Sequence, residues 1–235
     1  MVRRREVRLT SDGRVLAATV VTPQEPTGAG ALFVHGLGSD RGTNVERAEA
    51  VARRLGATCL AVDLGGHGGS SGRLSALTPR QNLTDVLTAY DALAAERQVD
   101  PARVAVCAAS YGAFLSVLLT QVRRPARLLL RAPALYTDDS LDSPLARRVP
   151  GGADAGAVRV LAGYPGQVLV VESEHDEVVP PSTVRAWCAA RPDVEHVVLP
   201  GAAHALTDPA WRAAYTDVLL SFLGDLGGHA GDTPT

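Results

Sequence analysis

Lysine is missing from this chain: all 23 of its basic residues are arginine. That absence removes Schiff-base chemistry, a serine–lysine dyad and the lysine of a phosphate loop. Isoleucine is missing too, and asparagine occurs only at Asn44 and Asn82, a composition that fits a GC-rich genome. Cysteine is scarce. Cys59, Cys107 and Cys188 lie far apart with no metal-ligand spacing, and their odd number argues against a disulfide framework. Buried free thiols in a reducing cytoplasm are expected instead, with no metal and no cofactor. No apolar run approaches the roughly 18 residues of a membrane span. The basic opening MVRRREVRLT has no apolar stretch behind it, so no secretion signal is expected. A net charge of −2 gives no general pull toward nucleic acid or an anionic membrane. What remains is an ordinary globular balance, 46% apolar and 20% charged, in 235 residues.

The pattern along the chain alternates strands with helices. Glu6–Thr10 and Val15–Thr22 read as a hairpin about Ser11-Asp12-Gly13. Further strands are expected over Ala31–Val34, Thr58–Asp63, Val104–Ala109, Arg127–Ala132, Gln167–Val171 and Val194–Leu199. A helix over Thr43–Leu55 carries a capping-box pattern at Thr43 and Glu46, and Gly56 ends it. The next opens at Thr78-Pro79-Arg80-Gln81 with a second capping box and turns Leu83, Val86, Leu87, Tyr90 and Leu93 inward. Helices follow over Tyr111–Val122 and Pro181–Ala190. A last one starts at Asp208-Pro209, with Trp211, Tyr215, Val218, Leu219 and Phe222 facing in. This is an α/β domain with a mostly parallel sheet and helices on both faces. It is expected to occupy residues 1–226 as a single unit, with a disordered tail over 227–235. The one long connection, about 136–166, carries charge and little apolar matter, and is expected to be a short cap-like excursion over the site.

Val104–Ser116, VAVCAASYGAFLS, organises the rest. A continuous apolar run, as in a strand buried on both faces, passes into a helix across one residue, Ser110. So sharp a turn needs small neighbours, which Ala108, Ala109 and Gly112 supply. It lifts the hydroxyl clear of the sheet at a helix N-terminus. The five residues alone also fit a small-residue packing site.

This stretch resembles the nucleophile elbow G-x-S-x-G of the α/β-hydrolase superfamily, with Ala108 where the first glycine usually stands. In open α/β sheets ligands bind beyond the carboxyl ends of strands. There the chain places Ser110, then Glu172-Ser-Glu-His-Asp-Glu177, then Pro200-Gly-Ala-Ala-His204, which is the superfamily's order of nucleophile, acid and histidine. The resemblance runs from about residue 15 to 223. It implies Ser110 as nucleophile, His204 as base and Asp176 as acid, the last matching D-x-x-V-P with Val179 and Pro180. Glu174 and Glu177 are rivals to Asp176, as is Asp142 at a less favoured position. Among the other histidines, His229 lies in the tail, His196 within a strand, and His175 beside the acid. His67 sits in a structural G-H-G, and His35 shapes the loop before Leu37. The oxyanion donors implied are the backbone N–H groups of Leu37 and Tyr111. The glycine run 65–72 lacks a phosphate-loop pattern and is expected to form a tight loop flanking the cleft.

The expected activity is hydrolysis of small, soluble carboxylic esters through an acyl-enzyme, in a serine esterase or oligopeptidase-like branch with a minimal cap. The partner expected is a small ester, with no nucleic acid and no membrane. Peptidase, thioesterase and lactonase chemistry stay open on the same residues, as does a non-catalytic binding protein. Arg147 and Arg148 could meet an anionic substrate, but solvated surface charge is the preferred reading.

Overall fold

The computed structural model describes residues 1–227. The expected tail therefore lies outside the described residues, apart from Gly227 in a final helical turn, Gly224–Gly227.

The chain forms one eight-stranded sheet in the order β1-β2-β4-β3-β5-β6-β7-β8. β1 (Val2–Ser11) and β2 (Arg14–Pro23) make the opening hairpin, and β2 runs antiparallel to β4 (Thr58–Val62). β3 (Gly28–Val34), β5 (Val99–Ala109), β6 (Arg127–Arg131), β7 (Gln167–His175) and β8 (Glu195–Ala203) continue the sheet, parallel to β4. Alternate residues of the central strands feed two apolar layers. Val104, Val106 and Ala108 of β5 join Leu128 and Leu130 of β6 beneath α2 (Pro79–Ala94), α3 (Tyr111–Leu119), α4 (Gly156–Ala162) and α5 (Pro181–Cys188). Ala105, Cys107 and Leu129 face α1 (Gly42–Leu55) and α6 (Pro209–Leu223) instead. Both faces of these strands are buried, which is why they read as unbroken apolar runs. Among the described residues no helix is long and apolar enough to cross a membrane.

Three expectations change. Thr43 and Glu46 do not cap α1: the helix starts at Gly42 after Arg41, with no side-chain cap of its own. Asp40 Oδ1 instead accepts the Gly42 N–H at 2.7 Å, so an aspartate just ahead of the helix does the work assigned to Thr43. The second capping box does form, with Gln81 N–H donating to Thr78 Oγ1 and Thr78 N–H to Gln81 Oε1. The segment 136–166 is not poor in buried apolar groups: Leu145, Ala157, Val158, Leu161 and Tyr164 all enter the core. Tyr164 donates its hydroxyl to Pro125 O at 2.6 Å, and Tyr136 packs edge-on against Phe114. It serves as the crossover from β6 to β7. Lastly, β7 and β8 each extend four residues past their apolar runs. β8 lies at the sheet's edge, and the extension of β7 beside it stays paired to β8 while carrying the partly exposed Glu172 and the exposed Glu174 and His175.

Candidate active site

Ser110 is the single residue between β5 and α3, with φ 50° and ψ −117°. A non-glycine residue in that region costs about 1–3 kcal/mol. The surroundings hold it there. Ser110 N–H donates to Arg131 O at 2.9 Å, and its carbonyl accepts from Ala113, Phe114 and Ala134. The turn also needs Gly112: a Cβ there would stand 2.4 Å from His35 O. Ala108, opposite Val34 and fully enclosed, tolerates its methyl where the family pattern has glycine.

The loop after β3 closes on the same point. Leu64 N–H donates to His35 Nε2 at 3.0 Å, which leaves the proton on Nδ1, 2.7 Å from Gly36 O. Burial drives the pKa of His35 down to about 4, so the ring is a neutral strut between the ends of β3 and β4. A Cβ on Gly36 would lie 3.2 Å from that of Ser110, so the loop runs hard against the elbow. The amides of Leu37 and Tyr111 donate to no acceptor among the described residues.

Asp176 and His204 each follow directly on a strand, β7 and β8. His204 Nδ1 lies 2.8 Å from Asp176 Oδ2 and 3.0 Å from Oδ1. Asp176 Oδ1 also accepts the N–H groups of Val178 and Val179, which accounts for the spacing in D-x-x-V-P. Burial raises the carboxyl's pKa, but the bonds from His204, Val179 and Val178 outweigh it and hold the group below its ordinary value. The rival carboxylates are engaged elsewhere or exposed. Glu174 accepts from Gly201 N–H, Asp142 pairs with Arg80 on the surface, and Glu177 is exposed. His196 pairs with Glu172, and His67 stacks on His35.

Ser110, Leu37 and His204 line one cleft of about 370 Å³. Ser110 Oγ makes no hydrogen bond to His204 among the described residues; both residues line the same cleft. None of the lining residues comes from 136–166, so that segment does not roof this cleft as expected. Arg147 and Arg148 are outside it, Arg148 lying over the Tyr136 ring. Two arginines that sequence reasoning passed over, Arg47 and Arg131, are inside it. Arg131 ends a strand, the position to which the sheet rule gives weight, and it could have been flagged on that ground. Arg47 projects from α1, and nothing local marks it. The glycine run 65–72 wraps carboxylates of this chain: Gly69 N–H donates to Asp63 and Gly65 N–H to Asp85.

Residues 25–159 match the family model described as serine aminopeptidase, S33. Two uncharacterized proteins from strains of Mycobacterium tuberculosis are 33% identical over 76% of this chain. The chain spans 63% of the length of each. Est1E from Butyrivibrio proteoclasticus, solved with ferulic acid bound, superposes with a TM-score of 0.76 at 20% identity, over 92% of this chain and 97% of its own. The acylaminoacyl peptidase of Pyrococcus horikoshii gives 0.75 at 16% identity, over 99% of this chain and 43% of that one.

Proposed function

The chain belongs to the S33 serine aminopeptidase family of α/β hydrolases, and on that footing we propose that it hydrolyses small, soluble carboxylic esters with Ser110, His204 and Asp176 as a catalytic unit. One observation carries the reading: a serine held at φ 50° shares a cleft with a histidine whose other nitrogen is fixed by a buried carboxylate. A serine hydroxyl is a weak nucleophile without a base. As the substrate seats, His204 Nε2 takes the Ser110 proton while Oγ bonds to the acyl carbon. Asp176 holds Nδ1–H and stabilises the imidazolium. The carbonyl oxygen becomes an oxyanion facing the N–H groups of Leu37 and Tyr111. Collapse breaks the ester C–O bond, and His204 returns the proton to the departing alcohol. Water then repeats the sequence on the acyl-enzyme and releases the acid.

The family model and the acylaminoacyl peptidase likeness favour a second reading, peptide hydrolysis. The cleft speaks for esters over aminopeptides: Arg47 and Arg131 line it and no carboxylate does, so a substrate's α-ammonium would meet like charge. The free thiols Cys59, Cys107 and Cys188 suit a reducing cytoplasm. The test is labelling with a fluorophosphonate probe, followed by rates on para-nitrophenyl esters, acyl thioesters and aminoacyl anilides. Labelling lost in Ser110→Ala, with esters the fastest class, is expected. Faster cleavage of the anilides would replace this reading with the peptidase.

A further inference from the structure

Arg131 is only 8% exposed, yet no carboxylate lies within ion-pair distance of it among the described residues. Its guanidinium has five N–H donors. Nη1 gives one to His204 O at 2.8 Å, and neither Nε nor Nη2 has a protein acceptor among the described residues. Neither of those nitrogens is sealed off from solvent. The residue is paired in register with Ala109, next to the nucleophile, on the sheet face that Leu129 shares with α6. It therefore closes the top of that layer and forms part of the floor of the cleft. The chain then bends sharply, Ala132 taking φ 42°.

Arg47 enters the same cleft from α1. It donates to Asn44 Oδ1 at 2.9 Å and to Thr43, and it too has no carboxylate partner among the described residues. Both guanidiniums lie toward one buried ring, that of Tyr215, at 5.0 Å for Arg47 and 6.0 Å for Arg131. Arg131 is buried and Arg47 half-buried, and holding two cations near one another there is costly unless an anion offsets them. Arg14 and Arg41, elsewhere in the molecule, each find a buried aspartate.

We propose that Arg47 and Arg131 form an anion subsite beside Ser110, and that the substrate is an ester carrying a free carboxylate, such as the half-ester of a dicarboxylic acid. A carboxylate suits Arg131 because Nε–H and one Nη2–H form a parallel pair of donors, the fork that two carboxylate oxygens match. Arg47 supplies the second charge from across the cleft. The substrate class rests on the ester-hydrolase reading, whereas the subsite itself does not.

The experiment compares kcat/KM for mono-para-nitrophenyl adipate with that for para-nitrophenyl hexanoate, which has the same chain length and no charge. The anionic ester is expected to be preferred by more than about tenfold, and the ratio to fall to within about threefold of unity in Arg47→Gln and in Arg131→Gln. Arg131 is buried, so Arg47→Gln carries the test if Arg131→Gln does not fold. A ratio near unity in the unaltered protein, or one that a folded Arg47→Gln leaves unchanged, overturns the proposal. Calorimetric binding of free adipate separates the two readings without turnover. If neither ester is cleaved but adipate binds, and Arg47→Gln abolishes that binding, the ester reading fails and the subsite stands. If esters are cleaved and adipate does not bind, the subsite fails alone. Inorganic phosphate binding as tightly as adipate overturns the carboxylate assignment.

Discussion

Two groups of buried charge sit at the carboxyl end of the sheet, and they are built on opposite plans. On the glycine-loop side, Asp63 and Asp85 have no exposed side-chain surface. Asp63 accepts from the Arg41 backbone and guanidinium and from Gly69 N–H. Asp85 accepts from Ser11, Arg14, Asn82 and Gly65 N–H. Each is surrounded by donors from distant parts of the chain, and the networks tie the hairpin, the loop and α2 together. On the cleft side, Asp176 is answered by His204, but buried Arg131 and half-buried Arg47 make no ion pair with an acid among the described residues, and Asp176 acts on Arg131 only from a longer range. Charge that the chain neutralises for itself serves the fold. Charge that it leaves open is, on our proposal, kept for what enters from outside.

The contrast can be broken at either end. Ser110→Ala should lower kcat for ester hydrolysis by about 10⁴- to 10⁶-fold. The melting temperature should not fall, since the serine hydroxyl makes no hydrogen bond among the described residues. Retained activity within tenfold, on the order of a minor binding effect, would sink the catalytic assignment. Asp176→Asn comes next, with a loss of about 10⁴-fold in kcat as His204 loses control of its tautomer. The Val178 and Val179 amides keep an oxygen acceptor in that variant, so denaturant unfolding should shift little. Asp85→Ala belongs to the other plan. It removes the buried acceptor shared by Ser11, Arg14, Asn82 and Gly65, leaves Arg14 only the exposed Asp12 as an ion-pair partner, and should destabilise the fold by about 3–5 kcal/mol in urea titrations. Turnover per folded molecule should be preserved; a selective loss of activity would mean that the two regions are not separable.

The smallest effect concerns pH. Burial lowers the pKa of His35 to about 4, against 6.5 in the unfolded chain, so the folded state binds fewer protons between those values. Its contribution to stability is complete above the unfolded value and falls by about 3 kcal/mol as pH drops to the folded one. His67, lowered by burial as well, acts in the same direction. Urea midpoints across this window should decline with acid in the unaltered protein and more gently in His35→Gln; parallel slopes would remove His35 from the account.

Much of this was legible in advance because it depends on local pattern. The parallel strands are apolar runs, the elbow is one serine among small residues, and Asp176 and His204 lie at positions set by strand order. Boundaries were less legible. β7 and β8 outlast their apolar runs because the two strands stay paired with each other past residues that no apolar pattern marks, and the first N–H of α1 is met by Asp40, two residues ahead of it. The arginines of the cleft were not legible. Arg47 and Arg131 are far apart in sequence and meet only because α1 and α6 pack on the same face of the sheet, with Tyr215 between them. From sequence alone Arg147 and Arg148 stand out as a pair, and they read as solvated surface charge, since adjacency is visible there and convergence is not.

The dihedral angles of Ser110 set stability against purpose at a single position. Glycine is at ease at φ 50° and ψ −117°, and a side chain is not. Ser110→Gly should therefore give a protein that unfolds at equal or higher temperature and turns over nothing. A library of this chain screened only for heat resistance would tend to discard the one atom that we propose attacks the substrate.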